Sequence, residues 1–235
     1  MKLYSAWYCP FAQRVWMGLN LKGAGFEIVE TDPYNKTPEW MQISAGTGQV
    51  PVLVGGGGPT HVPDSLRGLE FIDAFYSELG PAFYPADPAE AAEVRRWTDV
   101  LSARVVPYFY RFLKAQPGSD LAEAARYGLE EGLESLTLAA DPVGSFFRGA
   151  EIGALDLALA PFSYRISLIL AHYRGYRLQR TGPVWERFHR WAEALRTHSA
   201  FRATQSGPDY EARLIGFYQQ YADGAGQRGV DVIPA

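Results

Sequence analysis

A single cysteine, Cys9, occurs in the 235 residues. No internal disulfide and no multi-cysteine zinc site can therefore form. Histidine is scarce too. His61, His172, His189 and His198 lack the close spacing of metal ligands, so they read as surface or packing residues and no metal is expected. Basic charge is not in excess, with 22 Lys and Arg against 26 Asp and Glu and a net charge of −4. Neither nucleic acid nor an anionic membrane is an expected partner. The most apolar long stretch, residues 157–171, is interrupted by Pro161 and Arg165. It is shorter than the ~20 residues a bilayer span requires and reads as a buried helix. Met1-Lys2-Leu3-Tyr4 runs into a strand pattern without the apolar stretch of a signal peptide. With the lone cysteine, this leads to an expected cytoplasmic location. What remains is an ordinary globular composition, 47% hydrophobic and 20% charged, long enough for one large domain or two modest ones.

Residues 1–79 alternate between the two hydrophobic periods. "KLYS" reads as a strand. From Pro10, Phe11, Val15 and Leu19 recur at four-residue spacing with polar residues off the stripe, an amphipathic helix that Lys22-Gly23 should end. "FEIVE" is a second strand, and "TPEWMQI" starts a helix with Thr37 as cap and Pro38 at its first position. "VPVLV" and "THV" read as strands joined by the glycine run 55–58, a turn rather than a phosphate cradle because no Lys-Ser/Thr follows. Residues 64–79 are helical again. The order βαβαββα predicts a small mixed sheet with helices on both faces.

Residues 80–88, "GPAFYPADP", read as an interdomain linker. Beyond it strand signal vanishes, and residues 89–222 read as an all-helical domain with helices over 89–116, 120–140, 154–174 and 183–197. Pro107 should kink or divide the first. The tail 223–235 reads as irregular. In "EIGALDLALAP", Asp156 should reach back to the N–H of Gly153 while Ile152 and Leu157 form a hydrophobic staple, a structural cap.

Cys9 stands just before a helix whose first residue is proline. Free backbone N–H groups and the positive end of the helix dipole there favour thiolate over thiol. Such a sulfur is a nucleophile; the alternative is a small apolar residue in the sheet–helix interface. "CPFA" has no second cysteine, so a covalent sulfur intermediate must be discharged by an external thiol, which requires a thiol-binding site. Val50 and Pro51 in "GQVPVL" offer one edge: a cis bond there would leave the N–H and C=O of Val50 free to pair with an extended peptide. Asp64 and Ser65 open the next helix, where they could hold a ligand ammonium and carboxylate or simply cap the helix.

These segments together resemble the cytosolic glutathione transferases, and within them the cysteine-containing omega-like group. "YCPFAQRV", "KTPEW", "QVPVL" and "DSL" stand in the family's order, and "FFRGAEIGALDLALAP" is similar to its capping-box segment, so that the likeness spans about residues 1–220. It implies a thioredoxin-like first domain, an α-helical second one, glutathione as co-substrate and a homodimer. Cys9 would form a mixed disulfide with glutathione, Phe11 would lie beside the tripeptide, and Lys36 near its glycyl carboxylate. Val50 would pair with its cysteinyl backbone, and Asp64 with Ser65 would hold the γ-glutamyl end. The chain departs from the pattern in placing Thr37 rather than lysine before Pro38, Asp rather than Glu before Ser65, and "SAGTG" ahead of Gln49.

The second substrate, a small aromatic or apolar electrophile or a glutathionyl conjugate, would lie between the domains. Trp7 and Tyr8 precede Cys9, and Tyr108 with Phe112 share one face of the first helix beyond the linker, as pocket wall or as core. The expected activity is a glutathione-dependent thiol transferase, with the related reduction of dehydroascorbate using the same intermediate. Two alternatives stand beside it. In one, Ser5 or Tyr8 activates glutathione's own sulfur for conjugation or ether cleavage; in the other, the fold is a non-catalytic ligand-binding module.

Overall fold

The computed structural model describes residues 1–55 and 60–224. The glycine run expected to turn the hairpin falls largely at 56–59, and the expected irregular tail largely at 225–235, outside the described residues. Strand β1 (Lys2–Ser5) is followed by α1 (Pro10–Lys22), β2 (Glu27–Glu30), α2 (Pro38–Ile43), β3 (Val52–Val54), β4 (His61–Pro63) and α3 (Ser65–Phe75). The sheet order is β2-β1-β3-β4, with β2 parallel to β1 and the other two pairings antiparallel. Leu3 stands opposite Ile28 on one side and Leu53 on the other, which puts one apolar row on the helix-covered face. Pro63 is tolerated because β4 is an edge strand. This is the thioredoxin-like arrangement.

Helix α1 ends where expected, at Gly23 in the left-handed region (φ 63) with its N–H bonded back to Asn20 and Leu19. α1 and α3 approach closely because each offers a glycine. A Cβ on Gly18 would stand 2.9 Å from Leu69, and one on Gly68 2.9 Å from Val15.

The second half is helical: α4 (Pro88–Val100), α5 (Val106–Lys114), α6 (Asp120–Ala139), α7 (Ala154–Arg165), α8 (Ala171–Arg174), α9 (Pro183–Thr197), α10 (Ser199–Arg202) and α11 (Tyr210–Ala222). Pro107 divides the first predicted helix. A π-helical turn at Leu101–Val105 precedes it and absorbs the backbone that proline cannot pair. A second π turn, Ile166–Leu170, interrupts the predicted 154–174 helix beyond Pro161. Residues 154–174 are long and apolar enough to cross a membrane by length and composition, but 83% of the most apolar 18 residues among them are buried within the protein.

The expected linker is not a loose tether. Asp73 accepts the N–H groups of Phe83 (2.9 Å) and Tyr84 (3.1 Å) and pairs with the buried Lys22 at 2.8 Å. Phe83 is buried in the core, and its carbonyl accepts the N–H of Ala154 at 2.9 Å. Proline and glycine here shape a fixed crossing rather than a hinge.

Asp156 caps α7. One carboxylate oxygen accepts the Gly153 N–H (2.9 Å); the other accepts Phe147 N–H (2.9 Å) and the Trp191 indole (2.6 Å). Ile152 and Leu157 are both buried in the core beside it. Burial pushes the Asp156 carboxyl up to about 6, against the three hydrogen bonds that pull it down. Truncating it strands three donors, so Asp156→Ala should lower the unfolding free energy by about 2–4 kcal/mol in urea titrations. The native carboxyl keeps a proton that the unfolded one has lost between pH ~4 and ~6. Wild-type stability relative to Asp156→Asn should therefore fall as pH rises through that window, by up to about 3 kcal/mol.

Candidate active site

Pro10 is the first residue of α1, where its missing N–H costs nothing, and Cys9 is the N-cap with extended backbone (φ −75, ψ 117). The Sγ accepts the free Ala12 N–H at 3.4 Å and, as a thiol, faces the Val50 carbonyl at 3.8 Å. The backbone N–H of Cys9 bonds Ala6 O at 2.8 Å, and its carbonyl accepts Gln13 N–H at 3.0 Å. The sulfur is thereby fixed at the helix start.

It lies in a cleft of about 600 Å³, within the ~300–1,000 Å³ range of small-molecule sites. Cys9, Pro10 and Phe11 belong to it, and the 33–36 and 47–50 loops form one wall. Val50–Pro51 is cis, with Pro51 buried behind Val50. The Lys36 ammonium lines this wall and donates to the Gly48 carbonyl. The opposite wall is aromatic: Tyr110 from α5 and Phe217, Tyr218 and Tyr221 from α11. Tyr8 stacks on Phe217 (centroids 3.8 Å apart, 18° between planes), and the Tyr34 and Tyr221 hydroxyls meet at 3.3 Å across the cleft.

Five expected site residues sit elsewhere or are engaged otherwise. Trp7 does not line the cleft; it packs edge-on against Tyr210 and Phe217 beneath Arg213. Tyr108 packs on Gly128 of α6, where a Cβ would meet its ring at 2.3 Å. Phe112 is buried edge-on against Tyr176. The face of α5 that reaches the cleft is that of Tyr110, which the spacing alone does not reveal. Asp64 and Ser65 also stand outside the cleft lining. One Asp64 oxygen caps α3 through Leu66 and Arg67 N–H (2.8 and 2.9 Å), from a left-handed backbone at φ 84. The buried Ser65 hydroxyl accepts from Arg14 at 3.1 Å.

The electrostatics correct a second expectation. Burial pushes the Cys9 thiol up from its ordinary value; the Ala12 and Phe11 N–H groups and the charges of Arg165 and Arg14 pull it down without reversing the direction. The hydroxyls that could replace it are worse placed. Ser5 Oγ is buried, outside the cleft, with no hydrogen-bond partner among the described residues. Burial raises the Tyr8, Tyr110, Tyr218 and Tyr221 phenols, which keeps them protonated.

Residues 198–222 of the helical half have no helix of their own in the sequence reading, and so give no α11 wall. Its signal is present: Tyr210, Leu214, Tyr218 and Tyr221 recur at helical spacing and are all buried. In the sequence Arg14 is only a polar residue off the α1 stripe and Arg165 only an interruption of an apolar run. Both side chains are buried.

Alkylation of Cys9 by iodoacetamide in the ligand-free protein should accordingly titrate with a midpoint above the ~8.5 of a free cysteine. Mass spectrometry of the modified protein across pH 6–11 measures it.

A family model described as "Glutathione S-transferase, N-terminal domain" matches residues 8–74. The chain is 30% identical over 202 residues to the rice protein (Oryza sativa subsp. japonica) "Probable glutathione S-transferase DHAR1, cytosolic", covering 86% of both. It superposes on glutathione transferase Omega 3C from Trametes versicolor with a TM-score of 0.80 and 31% identity, covering 93% of this chain and 90% of that one. The Tau class glutathione S-transferase MiGSTU from mango, Mangifera indica, gives a TM-score of 0.80 at 25% identity, covering 94% and 98%. A thioredoxin-like sheet joined to a helical domain is thus shared along nearly the whole length, and the chain belongs to the cytosolic glutathione transferase superfamily.

Proposed function

We propose that the protein is a glutathione-dependent thiol transferase of the cysteine type. The observation that supports this above the others is the Cys9 sulfur at the N-cap of α1, at the cleft, where the neighbouring hydroxyls are held protonated or lie out of reach. The likeness to an omega transferase and to a relative whose name carries DHAR supports the same reading. The tau-class likeness leaves conjugation by glutathione's own sulfur as the competing one.

Cys9, as thiolate, attacks the glutathionyl sulfur of a mixed disulfide. The new sulfur–sulfur bond forms as the old one breaks, and the departing thiolate takes a proton from water. A second glutathione thiolate then attacks the Cys9-bound sulfur, releasing oxidised glutathione and the Cys9 thiolate. A raised thiol pKa is not prohibitive. One unit upward costs tenfold in thiolate fraction, but intrinsic nucleophilicity rises about threefold with basicity at a Brønsted slope of ~0.4–0.5.

In this reading Phe11 flanks the tripeptide, Val50 offers its backbone to the cysteinyl unit, and Lys36 releases Gly48 for the glycyl carboxylate. Asp64 keeps one carboxylate oxygen for the γ-glutamyl ammonium, and the Ser65 hydroxyl, polarised by Arg14, keeps its proton to donate to the carboxylate. The Tyr110 and Phe217 wall takes an aromatic second substrate, and the enzyme works in the cytoplasm as a homodimer.

Exposure to oxidised glutathione should add one glutathione to the intact protein, seen by mass spectrometry and absent in Cys9→Ser. That variant should lose thiol-transferase turnover by about a hundredfold or more; retention of full turnover would overturn the proposal. Phe217→Ala should raise KM for an aromatic second substrate about tenfold, the worth of one lost stacking contact, while leaving adduct formation intact.

A further inference from the structure

Arg165 is fully buried at the end of α7. Four of its five donors are satisfied: Nε by the Tyr218 hydroxyl oxygen (2.9 Å), Nη1 by Gln13 Oε1 (2.8 Å) and Pro161 O (2.9 Å), and Nη2 by Tyr8 O (2.8 Å). Every acceptor is neutral. Among the described residues Arg165 forms no ion pair with a carboxylate, although a guanidinium in a protein interior ordinarily has one. Burial works against its charge, and the facing Tyr218, Tyr210 and Tyr110 hold it protonated. The Tyr8 carbonyl that it grips belongs to the peptide bond leading into Cys9.

We propose that Arg165 is a positioning residue of the reaction: the counter-charge its burial calls for is the Cys9 sulfur in its anionic form, and its bond to Tyr8 O fixes the segment that carries that sulfur. Two features carry the inference, an uncompensated interior cation and its direct bond to the backbone entering the nucleophile. No carboxylate competes for it. The other groups acting on Cys9 are Arg14 on α1, which adds positive charge, Tyr8 before the helix and Tyr218 on α11. Arg14 is itself answered in part by Asp64. Of the two arginines Arg165 pulls the Cys9 thiol down more, and among the described residues no carboxylate pairs with it. The thiol proton passes to solvent, and Arg165 remains protonated throughout. The inference rests on the reading of Cys9 as nucleophile.

Gln13→Glu is the decisive variant, because Gln13 already meets Arg165 and glutamate differs from it by one atom. The new carboxylate neutralises Arg165 in place. Its second oxygen faces the Thr204 hydroxyl, which now receives the Gln13 amide at 2.7 Å and donates to Phe201 O at 2.6 Å; that hydroxyl must turn to the carboxylate, while Phe201 O keeps the Thr204 N–H at 2.9 Å. The Cys9 alkylation midpoint should rise by about one pH unit, so that the thiolate fraction at pH 7 falls about tenfold and alkylation, partly offset by the higher nucleophilicity, slows about threefold while the melting temperature is kept. An unchanged midpoint in folded Gln13→Glu overturns the inference. Arg165→Lys, which keeps the charge, should hold the midpoint nearer wild type than Arg165→Gln; equal shifts in the two would also overturn it. Failure here is distinct from failure of the functional reading. Normal glutathione adducts with an unmoved midpoint defeat only the role of Arg165. A moved midpoint with no adduct in the wild type defeats only the mixed disulfide.

Discussion

Helix α1 is held from two sides, and the site depends on that. On the sheet side it meets α3 through the paired approaches of Gly18 and Gly68. On the helical side Arg14 Nε donates to Ala158 O at 3.0 Å, Gln13 bonds Thr204, and Arg165 reaches back to Gln13. A helix shared by both halves cannot slide without unsatisfying buried polar groups in each. Its first turn, and the sulfur that caps it, is therefore the most constrained point at the junction, while the aromatic wall opposite is supplied by α5 and α11. A nucleophile on a rigid element facing a separately built wall lets chemistry and substrate preference vary apart.

Much of this was legible in the residues. Period-two and period-four patterning, Pro10 and Pro38 at helix starts and Gly23 at a helix end are local signals, and they placed the βαβαββα half. Cys9 and Val50 stand out by the turn chemistry of their own short segments, Phe11 and Lys36 only by the family resemblance, and all four line one cleft. The illegible part is long-range. Nothing in "RVVPYFYRF" states which face of the helix after the π turn meets the cleft, and the fold brings Tyr110 there rather than Tyr108 and Phe112. The α11 wall has a readable period, but its apolar positions are mostly tyrosines, whose hydroxyls blur the contrast between buried and exposed faces. Asp64 and Ser65 could be read as ligand groups or caps; the fold uses one oxygen of Asp64 as the cap of α3 and the Ser65 hydroxyl as an acceptor for Arg14.

The ionisation of Cys9 is a contest whose terms belong to different levels of structure. Helix position favours the anion and is visible in the sequence as Cys-Pro. Desolvation opposes it and exists only once α11 and the 47–50 loop enclose the sulfur. The buried arginines oppose desolvation in turn, and they become neighbours only through the tertiary fold. Reading the first term alone gave the wrong direction for the free protein.

The Asp73 clasp on Lys22, Phe83 and Tyr84 has a consequence for traffic through the cleft. With the crossing between the halves nailed to both, the cleft has no clamshell to open. Reactants must enter and leave through its permanent mouth, past the loop bearing Tyr34 and the end of α11. Side-chain motion at that mouth is local and fast beside the slow movement of whole domains.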